Sequence, residues 1–208
     1  LHRVDRRQRQ MCIRDSYRSL LSNTTGTYNA AVGGLALDAN TTGDSNTALG
    51  YLALSANTTA SGNVAIGRSA LLANTTGTDN VGVGFSSLDA NTTGSDNTAV
   101  GDNALGANTT GTENVAIGAD ALKTATTVSA NTAVGYRALE DNAGASNTAV
   151  GDGALRENTT AANNVAVGAY ALMENTTGTD NVAVGKDALK DSTTASYNTA
   201  VGTLANEN

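Results

Sequence analysis

The sequence predicts an all-β chain, a parallel β-roll or β-solenoid of about eleven seventeen-residue coils. Three observations predict it: a fixed short period, alternating β-branched residues within each copy, and a complete lack of proline. Each copy reads close to N-[T/V]-A-[V/I]-G-x-x-A-L-x-x-N-T-T-G-x-x. The copies open at Asn29, Asn46, Asn63, Asn80, Asn97, Asn114, Asn131, Asn147, Asn164, Asn181 and Asn198, and one step, Asn131 to Asn147, is sixteen residues long. Self-similarity at a fixed period means one unit stacked on itself, each unit contacting chiefly its neighbours. It also argues against an enzyme, because an active site needs different residues converging at one place.

Positions two to four of the unit come first. Val64 and Ile66, Val115 and Ile117, Val165 and Val167, and Val182 and Val184 flank an Ala, as in Ala65, Ala116 and Ala183. Such alternation predicts a strand. The glycine that follows, from Gly33 to Gly202, ends it by permitting positive φ or a close backbone approach. A second short extended piece is expected at the Ala-Leu pair, such as Ala53-Leu54 or Ala188-Leu189, with a single helical turn as the competitor. Asn-Thr-Thr-Gly, as at 74–77, then turns the chain. A strand-helix-strand crossover needs about 30 residues, so the unit is too short for one. Proline's absence suits a ladder that cannot spare an N–H. Coils about 4.8 Å apart would make a rod roughly 50 Å long.

The larger residues at positions two and four are expected to point inward, together with the Ala-Leu pair. The opposite strand face would then be a smooth stripe of Ala and Gly, for instance Ala48/Gly50, Ala65/Gly67 and Ala99/Gly101, set against a symmetry mate.

The first sixteen residues stand outside the repeat. Residues 6–16, RRQRQMCIRDS, resemble the in-frame translation of a transposon-end adapter used in preparing sequencing libraries. The competing reading is a natural basic arm that binds nucleic acid or a membrane. Residues 1–16 are set apart as non-native, and 17–208 are read as one repeat domain, a fragment of a longer protein. The sole Cys (Cys12) and the sole His (His2) fall in the excluded segment. That segment carries five Arg against two Asp, so the rest of a chain with net charge −7 carries −10. An acidic repeat region argues against nucleic-acid binding. Apolar runs fall far short of the roughly 20 residues of a membrane helix, so no membrane contact is expected from this segment.

Candidate chemistry is sparse. Asn-Thr-Thr at Asn23, Asn40, Asn57, Asn74, Asn91, Asn108, Asn158 and Asn175 matches the N-glycosylation pattern, but the stronger reading is a repeated turn, which needs no modification to explain it. The Thr ladder also raises ice binding; adjacent strand residues face opposite ways, so one Thr of each pair at most can lie on one plane. Acidic residues such as Asp38, Asp44, Asp79, Asp96, Asp102, Asp120, Asp141 and Asp152 lack the regular Gly-spaced pattern of a calcium-binding roll. They read as a solvated face that keeps the rod soluble and resists edge pairing. Tyr28, Tyr51, Tyr136, Tyr170 and Tyr197 fall at outward or turn positions. With no His or Cys in the repeats, the commonest base and one common nucleophile are missing. No catalytic, cofactor-binding or metal-binding residue is assigned, and no cofactor is expected. Irregular turns at 124–130, where Val128 replaces Gly, and at 141–146 suggest a bend or change of twist, or simple drift among tolerant turns.

The strand segments Asn-Val-Ala-Ile-Gly at 63–67 and 114–118 resemble the repeat core of YadA-type heads of trimeric autotransporter adhesins. The longer unit is similar to arrays in bacterial surface proteins and phage tail fibres that end in an intramolecular-chaperone domain. The resemblance covers 17–208, although the period is longer than is usual in the adhesin heads. It implies a left-handed, trimeric, extracellular roll on a bacterial cell surface or, alternatively, a virion tail fibre. The function it implies is a rigid, multivalent adhesive spacer, with a host-surface protein or glycan as target. The alternative from another class is a solenoid that binds ice, a glycan or a metal.

Overall fold

The structure is a computed structural model and describes residues 13–206. Residues 6–12 of the adapter-like run, with His2 and Cys12, lie outside the described residues.

Twelve three-residue strands form one parallel sheet in strict sequence order, from β1 (Ile13–Asp15) to β12 (Thr199–Val201). Eleven of them are the repeat strands that begin with Ala30–Val32. The register advances by one whole copy at every step. Val64 pairs with Val81 and Thr98 with Val115, and across the short copy Thr132 still pairs with Thr148. The chain is therefore a β-solenoid whose coils stack at strand spacing. The sheet also takes in Ile13–Asp15, whose residues pair with Ala30, Ala31 and Val32.

Which side of the strand faces inward differs from the sequence expectation. Position-three alanines are buried: Ala31, Ala65, Ala99, Ala116 and Ala183 are all 0% exposed. Positions two are half-buried except at exposed Thr47 and Thr199, and positions four face out, from half-buried Val83 and Val134 to 71% exposed at Val201. Of the Ala48/Gly50, Ala65/Gly67 and Ala99/Gly101 stripe, the alanines thus line the inside of the coil and the glycines are half-buried, so the stripe is not the open face that the sequence predicts. The reason is space. The interior already holds a fully buried Leu at position nine (Leu54, Leu71, Leu105), an Ala at position eight, and two asparagines per regular coil. Coil 80–96 illustrates the tightness. It has Gly82 in place of Ala and Ser87 in place of the position-eight Ala; a Cβ on Gly82 would lie 3.1 Å from Ser87 Oγ and 3.4 Å from Leu71 Cγ. The interior accepts one methyl at that point, and the extra Ser87 hydroxyl fills the room the missing methyl leaves.

The Ala-Leu pair forms no second strand. Positions six to eleven are turn, with left-handed residues at seven and nine, as at Asn103 (φ 52°) and Leu105 (φ 52°). A left-handed non-glycine residue costs about 1–2 kcal/mol. Leu105 bears this because its side chain is wholly buried and its N–H donates to Ala121 O of the next coil at 2.9 Å. The turns thereby continue the coil-to-coil ladder that the strands begin.

The position-five glycine behaves as the sequence implies. From Gly33 to Gly202 its φ lies between 129° and 141°. A Cβ on Gly101 would lie 2.5 Å from Gly118 O and 3.0 Å from Ala119 N. Backbone meets backbone there, and no side chain can move aside.

Candidate functional site

Two columns of buried asparagine organise each coil, and they account for the recurring Asn-Thr-Thr. At position one, Asn97 Nδ2 donates to the turn carbonyl of Gly111 in its own coil at 2.9 Å. Its Oδ1 accepts the backbone N–H of Asn114, the same position one coil on, at 3.0 Å. At position twelve, Asn91 Nδ2 donates to its own turn carbonyl, Gly94 O, at 2.9 Å and to Asn74 Oδ1 of the previous coil at 2.8 Å. Within one coil both positions clamp the same turn, as Asn80 and Asn91 do at Gly94 O, and tie it to a neighbour. In-register stacking places identical amides one above another, the condition for such a ladder. Asn40, Asn57, Asn74, Asn91, Asn108, Asn158 and Asn175 are 0% exposed, so seven of the eight matches to the glycosylation pattern sit inside the folded rod, and Asn23 is half-buried.

The threonines divide as alternation requires. Position-thirteen hydroxyls are spent on the ladder: Thr92 Oγ1 donates to Thr109 O at 2.9 Å and Thr109 Oγ1 to Thr126 O at 3.0 Å. Position-fourteen residues such as Thr76, Thr93 and Thr110 are exposed, one per coil.

The outer face of the sheet is apolar. Val32, Leu49, Ile66, Val100, Ile117, Val150, Val167 and Val184 form a row with side chains open to solvent. Beside it, at position six, stand Tyr51, Phe85 and Tyr136, each about half exposed. Arg68 lies over Phe85 at 5.6 Å and Arg137 over Tyr136 at 4.9 Å, which covers part of those rings with cationic carbon and nitrogen. Of the remaining tyrosines named from the sequence, Tyr28 and Tyr197 are exposed, while Tyr170 is half-buried, with its hydroxyl 3.4 Å from Asp152 Oδ2.

One open cleft of about 400 Å³ interrupts the turn edge, lined by Asp89, Asn103, Gly106, Ala107, Lys123 and Thr124. Its cause is local. Position ten carries a side chain at Asp89 and Lys123 but only hydrogen at the intervening Gly106. Lys123 is engaged by Asp120, Nζ to Oδ1 3.0 Å, and that hydrogen bond raises the pKa of the amine. Burial pushes the Asp89 carboxyl up from 3.8, with hydrogen bonds from the backbone and Ser86 offsetting part of the rise. The consequence for stability has a definite sign. Below about 3.8 both the folded and unfolded chains hold the proton and there is no penalty; as pH rises the unfolded chain ionises first, so Asp89 opposes folding at neutral pH. Asp89→Asn is expected to raise the thermal midpoint at pH 7 and to lose that advantage at pH 3. Elsewhere, the Thr27 N–H and hydroxyl, 2.6 and 2.8 Å from Asp44 Oδ1, hold that exposed carboxyl below its ordinary range.

Among the described residues, no group of three or more His, Cys, Asp or Glu side chains could hold a metal ion, and no helix is long and apolar enough to cross a membrane. The sequence reasoning missed the outward Val/Ile row, because alternation fixes which residues share a face and leaves open which face is inside. No family model, curated protein or solved structure matches the chain.

Proposed function

We propose that the chain is a structural and adhesive rod, the head or shaft segment of a homotrimeric surface adhesin or tail fibre that works outside the cell. The observation that carries this reading is the exposed Val/Ile row on the outer face of an all-parallel sheet. Parallel sheets are ordinarily covered on both faces, and a continuous apolar row marks an interaction surface. The row repeats once per coil, so whatever covers it must repeat at the same rise. A second copy of this chain does so by construction, and closed symmetric association leaves no row uncovered. The trimer is thus the same association expected from the sequence, made through the opposite strand face.

The mechanism is geometric. Stacked coils hold the outer turns at fixed spacing, and many identical weak contacts to a host-surface protein or glycan add by avidity.

Sedimentation of the chain at tens of micromolar tests the association. The expected result is a trimer, converted to smaller species by Val100→Asp with Ile117→Asp, charges set on the outer face. A native chain that sediments as a folded monomer would remove the basis for this reading.

A further inference from the structure

We infer that the rod carries a built-in hinge between coils 114–130 and 131–146, closed along the strands and open along the turns. The position-twelve asparagine ladder runs from Asn23 to Asn108 and stops at Ala125. It resumes at Asn142, whose Oδ1 accepts from Asn158 Nδ2 at 2.6 Å. On either side of the gap the ends are satisfied within their own coils. Asn108 Oδ1 accepts the Gly111 N–H at 3.1 Å, and Asn142 Nδ2 donates to Gly144 O at 2.7 Å.

The backbone breaks at the same place. At position thirteen every other coil donates its N–H to the next, as in Thr92 to Thr109 and Thr109 to Thr126, and Ala143 to Thr159. The corresponding rung from Thr126 to Ala143 is missing among the described residues. The copy one residue short cannot bring its turn into register, and Asn131 shows this directly. Its Nδ2 keeps the bonds to Asn114 Oδ1 and Ser129 O, both at 3.3 Å, that Asn63 also makes to Asn46 and Ser61, but not the bond to its own turn carbonyl that Asn63 makes to Gly77.

Other edges of the same two coils stay joined. Thr132 pairs with Val115, and the Thr124 N–H donates to Glu140 O at 3.0 Å. Arg137, paired with Glu140 of its own coil at 3.7 Å, reaches Asp120 across the interface at 4.0 Å. The turn edge is rejoined only at its end, where the Ser146 N–H donates to Ser129 O at 3.2 Å, so an interface held along two edges and released over residues 125–128 of the third bends about the held edges. Local opening draws on segments with few coil-to-coil bonds, and this turn edge is such a segment.

Hydrogen exchange read by mass spectrometry on the full chain tests the hinge. Amides at 125–130 are expected to exchange about tenfold faster than those of the equivalent turn at 91–96, the ratio that losing one or two hydrogen bonds gives. The strand amides at 132–134 should exchange as slowly as those at 98–100. Ala125→Asn, which restores a partner for Asn108 and Asn142, should slow 125–130 toward the rate of the regular turns. Equal protection of 125–130 and 91–96 in the native chain would overturn the proposal, and that comparison stands whether or not the variant folds.

Discussion

Asn97→Asp is expected to be the most damaging single-atom-scale change in the rod, costing on the order of 3–5 kcal/mol at neutral pH, read as the shift in the urea midpoint of unfolding. Asp matches Asn in shape but replaces its NH₂ donor with an oxygen. Asn97 is 0% exposed, and its Nδ2 points at Gly111 O, 2.9 Å away, and at Asn80 Oδ1, 3.1 Å away. A carboxylate there would face two acceptors without water. The folded pKa of the introduced acid is therefore raised above the unfolded value of about 3.9. Below that value both states carry the proton, and the variant approaches the parent. As pH rises through it, the unfolded chain ionises while the folded one resists, so stability falls until the raised folded pKa is passed. Unfolding midpoints at pH 3 and pH 7 check the sign. An Asn97→Asp chain as stable as the parent at pH 7 would mean that the amide ladder does not hold the coils.

The second large effect sets neighbouring residues against each other. Ala99→Val is expected to cost about 2–3 kcal/mol or more, because two extra methyl groups enter a coil with no space for them. Ala99 is fully buried, and at the equivalent Gly82 even a first carbon would sit within 3.4 Å of Leu71 and Ser87. Val100→Ala, one residue on, removes the larger side chain from a site 36% exposed and is expected to leave the stability of a single chain within about 0.5 kcal/mol. Its effect should appear in self-association. Thermal melts at a concentration too low for association separate the two. If the order of the two effects were reversed, the Val/Ile row would belong inside, as the sequence alone suggests.

That pair also shows how far the sequence could be read. Period, strand and position-five glycine follow from local rules. Val115-Ala116-Ile117 has the alternation of a strand, and a residue that meets Gly135 backbone across the coil interface has to be glycine. The direction of the strand face does not follow, because alternation is symmetrical between the two sides. Size favours Val inside; the interior, filled by Leu105, Leu122 and the asparagines, admits only Ala116. Leu105 and Leu122 hid their conformation for a related reason. Leucine has no intrinsic preference for φ near 50°, and only burial and a bond to the next coil keep it there. The asparagines were legible as turn residues. Their burial and their pairing across coils were not, because the partner of Asn91 is seventeen residues away and no local rule names it.

By itself the sequence determined the repeat: a nearly fixed period, one short strand per copy, and a glycine that ends it. The tertiary structure decided which residues the coil encloses and which it offers to a neighbour. The reason is that inside and outside are properties of a closed coil of limited cross-section. Only when Leu, Ala and two asparagines have been packed into it does the Val/Ile row become the surface.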